Sequence, residues 1–209
     1  MTQDRYWEQW HKQDKRAEVK EFWDKNPQQP IRRKQFNDIL RDVAQRAEVT
    51  TVLDFGCGPG EDYPFMSGEL GLTYKGVDVT DEMLADARAQ FPDIDVDTDD
   101  IFESKQGDQE HPFVVNSAVL PHLPREMIPQ AISELWRITG KVLVIRLFGV
   151  DHRPEEKSFV NPKGFILNWL KQDTWMEMLL TVGPVKHIVH REKDNPDTKD
   201  IMVVELWRE

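Results

Sequence analysis

Val52-Leu53-Asp54-Phe55-Gly56-Cys57-Gly58-Pro59-Gly60 decides how this chain is read. A short apolar run breaks into glycines at three alternate positions. Further on, a second apolar run, Gly76-Val77-Asp78-Val79-Thr80, contains an acid where it ends. The pair predicts two parallel strands with a ligand laid across their carboxyl ends. Gly56, Gly58 and Gly60 let the main chain leave the first strand sharply and approach a ligand with no side chain in the way.

Two ligand classes use such a turn. Dinucleotide binders set a pyrophosphate at the helix N-terminus with glycines spaced G-x-G-x-x-G. Here the spacing is G-x-G-x-G, and Asp54 stands two residues before the first glycine. A carboxylate in that place repels phosphate and favours a ligand with positive charge, and S-adenosylmethionine carries both an ammonium and a sulfonium. Asp78 suits either class, because a carboxylate can accept from both ribose hydroxyls. An NAD-type oxidoreductase is therefore the disfavoured alternative.

At this point the chain resembles the class I, Rossmann-like S-adenosylmethionine-dependent methyltransferases. The likeness rests on the glycine turn, on Asp78 with the helix Asp81-Glu82-Met83-Leu84-Ala85-Asp86-Ala87-Arg88, on Asp99-Asp100-Ile101, and on Phe113 to Leu123. The resemblance implies that Gly56, Gly58 and Gly60 hold the methionine part of the cofactor, with Asp54 near its ammonium. It further implies Asp78 on the ribose hydroxyls, Val79 against adenine, Asp100 at the adenine amino group with the Ile101 amide beside it, and Asn116 and Ser117 near the transferable methyl group. S-adenosylhomocysteine is the implied product. The chain departs from the pattern in one place: many relatives carry an acid near Phe113 or Val114, and this sequence reads His111-Pro112-Phe113-Val114-Val115. It also lacks the asparagine-proline-proline-aromatic signature of base-amino DNA methyltransferases, reading Asn116-Ser117-Ala118-Val119 instead.

The 209 residues suffice for a sizeable core in one enzyme-sized unit. A hydrophobic fraction of 39% with 7 tryptophans excludes a disordered protein. No run approaches the about 18–20 apolar residues of a membrane span. Met1 to Lys20 is charged and has no apolar core of a secretion signal, so a cytoplasmic protein is expected. The single cysteine, Cys57, excludes an internal disulfide and a thiolate metal cluster, and reads as a small residue fitting a tight turn. A net charge of −11 disfavours nucleic acid as substrate. The one compact basic cluster, Arg32-Arg33-Lys34, reads as a solvated helix face.

The order of elements predicts the fold. Two helical segments come first, the earlier carrying Tyr6, Trp7, Trp10, Phe22 and Trp23, the later Ile31, Phe36, Ile39, Leu40, Val43 and Ala44. Strands and helices then alternate: strand 51–55, helix 61–70, strand 73–78, helix 81–90, strand 94–97, strand 113–117, helix 124–139 with Trp136 in its core, and strand 141–147. A polar loop at 148–162, helical residues 163–181 and a hairpin from Val185–Arg191 and Ile201–Trp207 follow, the hairpin turning at Asp194-Asn195-Pro196-Asp197-Thr198. This is an α/β chain, a Rossmann-like three-layer α/β/α sandwich around a mostly parallel seven-stranded sheet with an antiparallel C-terminal hairpin. Residues 1–48 form an N-terminal helical cap and 49–209 the core.

Methyl transfer needs alignment and exclusion of water, and a hydroxyl or ammonium acceptor must lose a proton. His122, in the loop after the fourth strand, is the first candidate base, and His152 the second. His187 and His190 sit three apart in a predicted strand and point to opposite faces, which disfavours a shared metal. Asp93, Asp95, Asp97, Asp99 and Asp100 read as a solvated acidic edge, and no metal is expected. The aromatics Trp7, Trp10, Trp23, Trp169 and Trp175 are candidates for lining an acceptor pocket. The expected function is methylation of an O or N atom of a small-molecule acceptor. The alternative from another class is a partner or sensor module that binds the cofactor and transfers nothing.

Overall fold

The computed structural model describes residues 29–151, 154–161, 164–191 and 201–208. The first aromatic-rich helical segment, His152 and the turn at 194–198 lie outside the described residues.

Seven strands form one sheet: β1 (Thr51–Phe55), β2 (Thr73–Asp78), β3 (Val96–Thr98), β4 (His111–Ser117), β5 (Thr139–Leu147), β8 (Lys186–Arg191) and β9 (Met202–Trp207). Their spatial order is β3-β2-β1-β4-β5-β9-β8. β1 pairs in parallel with β2, Asp54 opposite Gly76, and with β4, Asp54 opposite Val115. β9 runs antiparallel between β5 and β8. The order reverses between β1 and β4, the switch point where open α/β sheets receive ligands.

Strand periodicity sends alternate residues to the two faces. Leu53, Phe55, Val114, Leu143 and Ile145 pack with α3 (Ile128–Ile138) and α4 (Gln172–Leu179). Val52, Phe113, Val115, Val142 and Val144 pack on the other face with α1 (Gln29–Ala47) and α2 (Asp81–Gln90). α3 starts with Pro129 in its first turn, where a missing N–H costs nothing, and buries Ile128, Ala131, Ile132, Leu135 and Ile138. Full burial of each Leu or Ile contributes about 1.5–3 kcal/mol before entropy is counted. α2 has Asp81 and Glu82 in its first turn and Arg88 in its last, matching the helix dipole.

Several expectations need correction. Residues 61–70 are turns followed by a π-helical turn, Pro64–Glu69, in which the Leu70 N–H reaches the Phe65 carbonyl at 3.0 Å, because proline at its start and Gly68 within it weaken the ordinary ladder. The 148–162 segment is more than a loop, since β6 (Lys157–Val160) pairs with β7 (Ile166–Trp169) in a separate two-stranded sheet. Residues 166–169 are thus strand rather than helix: Phe165, Leu167 and Trp169 alternate with period two. Trp136 lies at the rim, partly exposed, with the Arg208 guanidinium 4.2 Å from its ring, whereas Trp175 is wholly buried under α3 and lines no open surface.

Candidate functional site

The glycine turn sits at the carboxyl end of β1. Amides of Gly56 and Cys57 both donate to the Val77 carbonyl, at 2.7 and 3.0 Å, which folds the turn back over β2. Gly56 has φ +81°, and a Cβ there would meet Val119 Cγ2 at 2.2 Å. Gly58 has φ +52°, and a Cβ there would meet no protein atom within 4 Å. Gly56 is therefore required by the protein's own packing, and Gly58 by backbone conformation at an open approach. At the end of β2, Asp78 Oδ2 accepts from the Gly58 amide at 3.0 Å and Oδ1 from the Thr80 amide at 2.9 Å.

Beneath the turn lies Asp54, buried on the α1 side of the sheet. Tyr74 Oη donates to its Oδ2 at 2.9 Å. Tyr74 leans across Gly76 to do so: a Cβ on Gly76 would stand 2.9 Å from that oxygen and 2.8 Å from Cys57 Sγ. Burial pushes the Asp54 carboxyl up to about 8, the charges of Asp62 and Asp78 add to the rise, and the Tyr74 bond opposes it. Burial also raises the Asp62 carboxyl, against the charges of Arg33 and Arg146. Arg33, from α1, reaches Asp62 Oδ1 at 3.3 Å, Glu61 Oε2 at 2.8 Å and the Glu61 carbonyl at 2.8 Å. Arg146, from β5, stacks 4.9 Å from the Phe36 ring of α1. The Cys57 thiol is held far above its ordinary range by burial and by Asp54 and Asp78, which leaves it protonated and inert.

Beside β2, the Asp99 amide donates to the Asp78 carbonyl at 3.1 Å, so the 99–101 segment borders the same edge. Asp99 is not solvated as expected. It is buried and accepts from Ser104 Oγ and Gln106 Nε2, each at 2.8 Å, and from the amides of Asp100 and Lys105 at 2.9 and 3.0 Å, so it organises the long loop to β4. Asp100 Oδ1 accepts from the Phe102 amide at 2.9 Å, Ile101 is buried in the core, and Val79 is half-buried. At the end of β4, Asn116 is fully buried, its Nδ2 donating to the Phe55 carbonyl at 2.8 Å. Its Oδ1 meets no donor among the described residues. Ser117 is half-buried and pairs with Arg146 of β5.

His122 closes a 3-10 turn, Leu120–His122, just after β4. Its Nδ1 lies 2.9 Å from the Ile166 carbonyl of β7, and its ring is 5.0 Å from Phe148 and 6.2 Å from Phe165. Burial lowers the His122 pKa below the usual imidazole value, with the Ile166 bond opposing. In β8, His187 is exposed, while His190 Nε2 contacts buried Glu205 at 2.6 Å. Among the described residues no three His, Cys, Asp or Glu side chains are grouped to hold a metal, and no helix is long and apolar enough to cross a membrane. In the basic cluster, Arg33 is engaged with Glu61 and Asp62 and Lys34 with Asp38.

The structure thus gathers Asp54, Gly56, Gly58, Asp78 and the 99–101 segment along one carboxyl edge, with Asn116 and Ser117 across the switch point. Sequence reading missed Tyr74, Asp62, Arg33 and Arg146. A glycine inside a strand, Gly76, was the available signal that another group approaches closely there.

Residues 52–141 match the family model of the methyltransferase domain. No curated protein matches the chain by sequence. Solved structures share its fold. An S-adenosylmethionine-dependent methyltransferase from Mesorhizobium loti is 16% identical, with TM-score 0.61, covering 89% of this chain and 100% of its own. The magnesium protoporphyrin IX methyltransferase of Synechocystis PCC 6803, solved with bound S-adenosylhomocysteine, is 17% identical, with TM-score 0.64 and 88% of each chain covered. The 1,6-didemethyltoxoflavin-N1-methyltransferase of Burkholderia thailandensis is 14% identical, with TM-score 0.67, covering 93% of this chain and 84% of its own. Residues 52–141 thus match a methyltransferase domain, and the chain has the Rossmann-like fold of the class I S-adenosylmethionine-dependent methyltransferases.

Proposed function

We propose that this enzyme methylates an O or N atom of a small-molecule acceptor, with the edge described above as its cofactor site. The observation that carries the cofactor assignment is Asp54: a buried acid with a pKa raised to about 8 asks for a cationic partner, and it lies under the glycine turn. The turn at Gly56, Gly58 and Gly60 then borders the methionine part, Asp78 accepts from the ribose hydroxyls, and Val79, Asp100 and Ile101 border the adenine. Asn116, whose Oδ1 lacks a donor among the described residues, and Ser117 border the reacting end. When bound, S-adenosylmethionine supplies a methyl group already activated on sulfur, so the chain's own task is alignment and proton removal.

His122 suits the proton removal. A carbonyl can only accept, so the bond to Ile166 places the proton on Nδ1 and makes Nε2 the unprotonated nitrogen of a neutral ring. Burial favours that neutral form at neutral pH. His152 is retained as a second candidate on the grounds of its sequence position alone. A small-molecule acceptor is supported by fold relatives whose names specify magnesium protoporphyrin IX and 1,6-didemethyltoxoflavin, and by the acidic net charge, which disfavours nucleic acid.

Calorimetric titration with S-adenosylhomocysteine tests the cofactor site. Asp78→Ala is expected to weaken binding about tenfold or more, since a hydrogen bond to a charged group contributes about 1.5–3 kcal/mol. Equal affinity in the variant would remove Asp78 from the site. On an acceptor that the wild type methylates, His122→Ala is expected to cut turnover by about 10²-fold or more.

A further inference from the structure

The two-stranded β6–β7 sheet stands apart from the main sheet, yet it grips the turn that carries His122. Asn168, in β7, is fully buried. Its Nδ2 donates to the Pro121 carbonyl at 3.0 Å and to the Leu123 carbonyl at 2.7 Å, the residues on either side of His122. Its Oδ1 accepts from Ser158 Oγ of β6 at 2.6 Å. One amide therefore uses both donors on the turn after β4 and its acceptor on the neighbouring strand of the hairpin. Two residues earlier on the same strand is Ile166, whose carbonyl meets His122 Nδ1. The contacts are mutually constraining. With 121 and 123 fixed to β7, the ring between them can only lie against the β7 main chain, and which ring nitrogen carries the proton is set by the bond the other groups offer. Phe148 and Phe165 flank the ring and limit its rotation.

We propose that Asn168 is a positioning residue for methyl transfer: it docks the β6–β7 hairpin onto the turn after β4 so that the Ile166 carbonyl fixes the His122 proton on Nδ1. This rests on the base role proposed for His122. The specificity of that arrangement comes from the β6–β7 segment after β5, not from the main sheet. An amide is required at 168 because two donors and one acceptor are used at once; an aspartate would turn a second acceptor toward two carbonyls.

The test reads the tautomer directly and needs no acceptor. In protein labelled with ¹⁵N-histidine, long-range ¹H–¹⁵N spectra of the wild type should show His122 with Nδ1 protonated and Nε2 unprotonated. Asn168→Ala should replace that single tautomer by an averaged signal while S-adenosylhomocysteine binding is unchanged. If Asn168→Ala fails to fold, Asn168→Ser, which keeps one donor, decides instead, and a mixed tautomer is again expected. A wild-type His122 protonated on Nε2, or a single Nδ1–H tautomer persisting in the folded variant, would overturn the proposal. Failure of the underlying reading looks different: His122→Gln would keep full turnover on an acceptor that the wild type methylates, whatever the tautomer spectra show.

Discussion

Asp54 is held at high cost, and the cost has a measurable sign. Its folded pKa, pushed up to about 8, lies above that of an unfolded aspartate. Its contribution to stability is therefore present at acidic pH and lost as pH rises through about 8. A cationic ligand reverses the preference and draws the carboxyl into its ionised form. Binding of S-adenosylhomocysteine near pH 7 is thus expected to release a proton, seen as a binding enthalpy that changes with the ionisation enthalpy of the buffer. The release should fade well above pH 8 and disappear in Asp54→Asn; buffer-independent heats at pH 7 would show that Asp54 is not the partner of the charge. Asp54 and the glycines were legible because they are consecutive in the chain. Tyr74 was not, because its role depends on leaning over Gly76 toward a different strand, and only register places Asp54 opposite that gap. Asp99 escaped for a related reason: adjacent acids look solvated until a loop of ten or so residues turns its donors back on one of them.

Elements whose period matched their burial were read correctly, and those with mixed signals were not. α3 repeats its apolar residues at helical spacing and buries Ile128, Ala131, Ile132, Leu135 and Ile138, while Phe165, Leu167 and Trp169 alternate like a strand and were assigned to a helix because α4 follows so closely. α1 shows what anchors an element. It carries several ion pairs, among them Arg33 with Glu61 and Asp62, but Arg33 and Glu61 are both about half exposed. Its Phe36, Leu40 and Val43 are buried against β1 and β5. Arg33→Ala is expected to cost less than about 1 kcal/mol and Leu40→Ala about 2–5 kcal/mol in urea unfolding. Similar losses for the two would mean that the charged network, not the apolar stripe, holds the helix.

At the scale of the molecule, the last strand ties distant parts together. Glu205 of β9 is wholly buried and accepts from Arg46 of α1 through both oxygens at 2.8 Å, from His190 of β8 at 2.6 Å and from Trp207 Nε1 at 2.8 Å. Burial raises the Glu205 pKa, but the bonds from His190, Arg46 and Trp207 outweigh it and hold the carboxyl below its usual range. Its stabilisation is accordingly present above the normal glutamate pKa and lost as pH falls through the lowered value. Glu205→Gln should lose about 1.5–3 kcal/mol at pH 7 and show a shallower acid-unfolding profile, monitored by circular dichroism. An unchanged acid limb would assign that transition to other carboxyls. The seven strands, parallel core and antiparallel hairpin were legible from element order together with the family resemblance, whereas Glu205 reads in sequence as one polar residue in an apolar strand. Because β9 lies between β5 and β8, the strand translated last among those described is the one that joins the edge strand β8 to the parallel core. During synthesis β5 offers a bare edge and α1 lacks its buried acid until residue 207 has cleared the ribosome, so ribosome-held chains ending at Arg191 should be protease-sensitive and depend on chaperones. Closure of the sheet therefore waits on β9, and its vulnerable interval is set by the distance between β5 and β9 along the messenger.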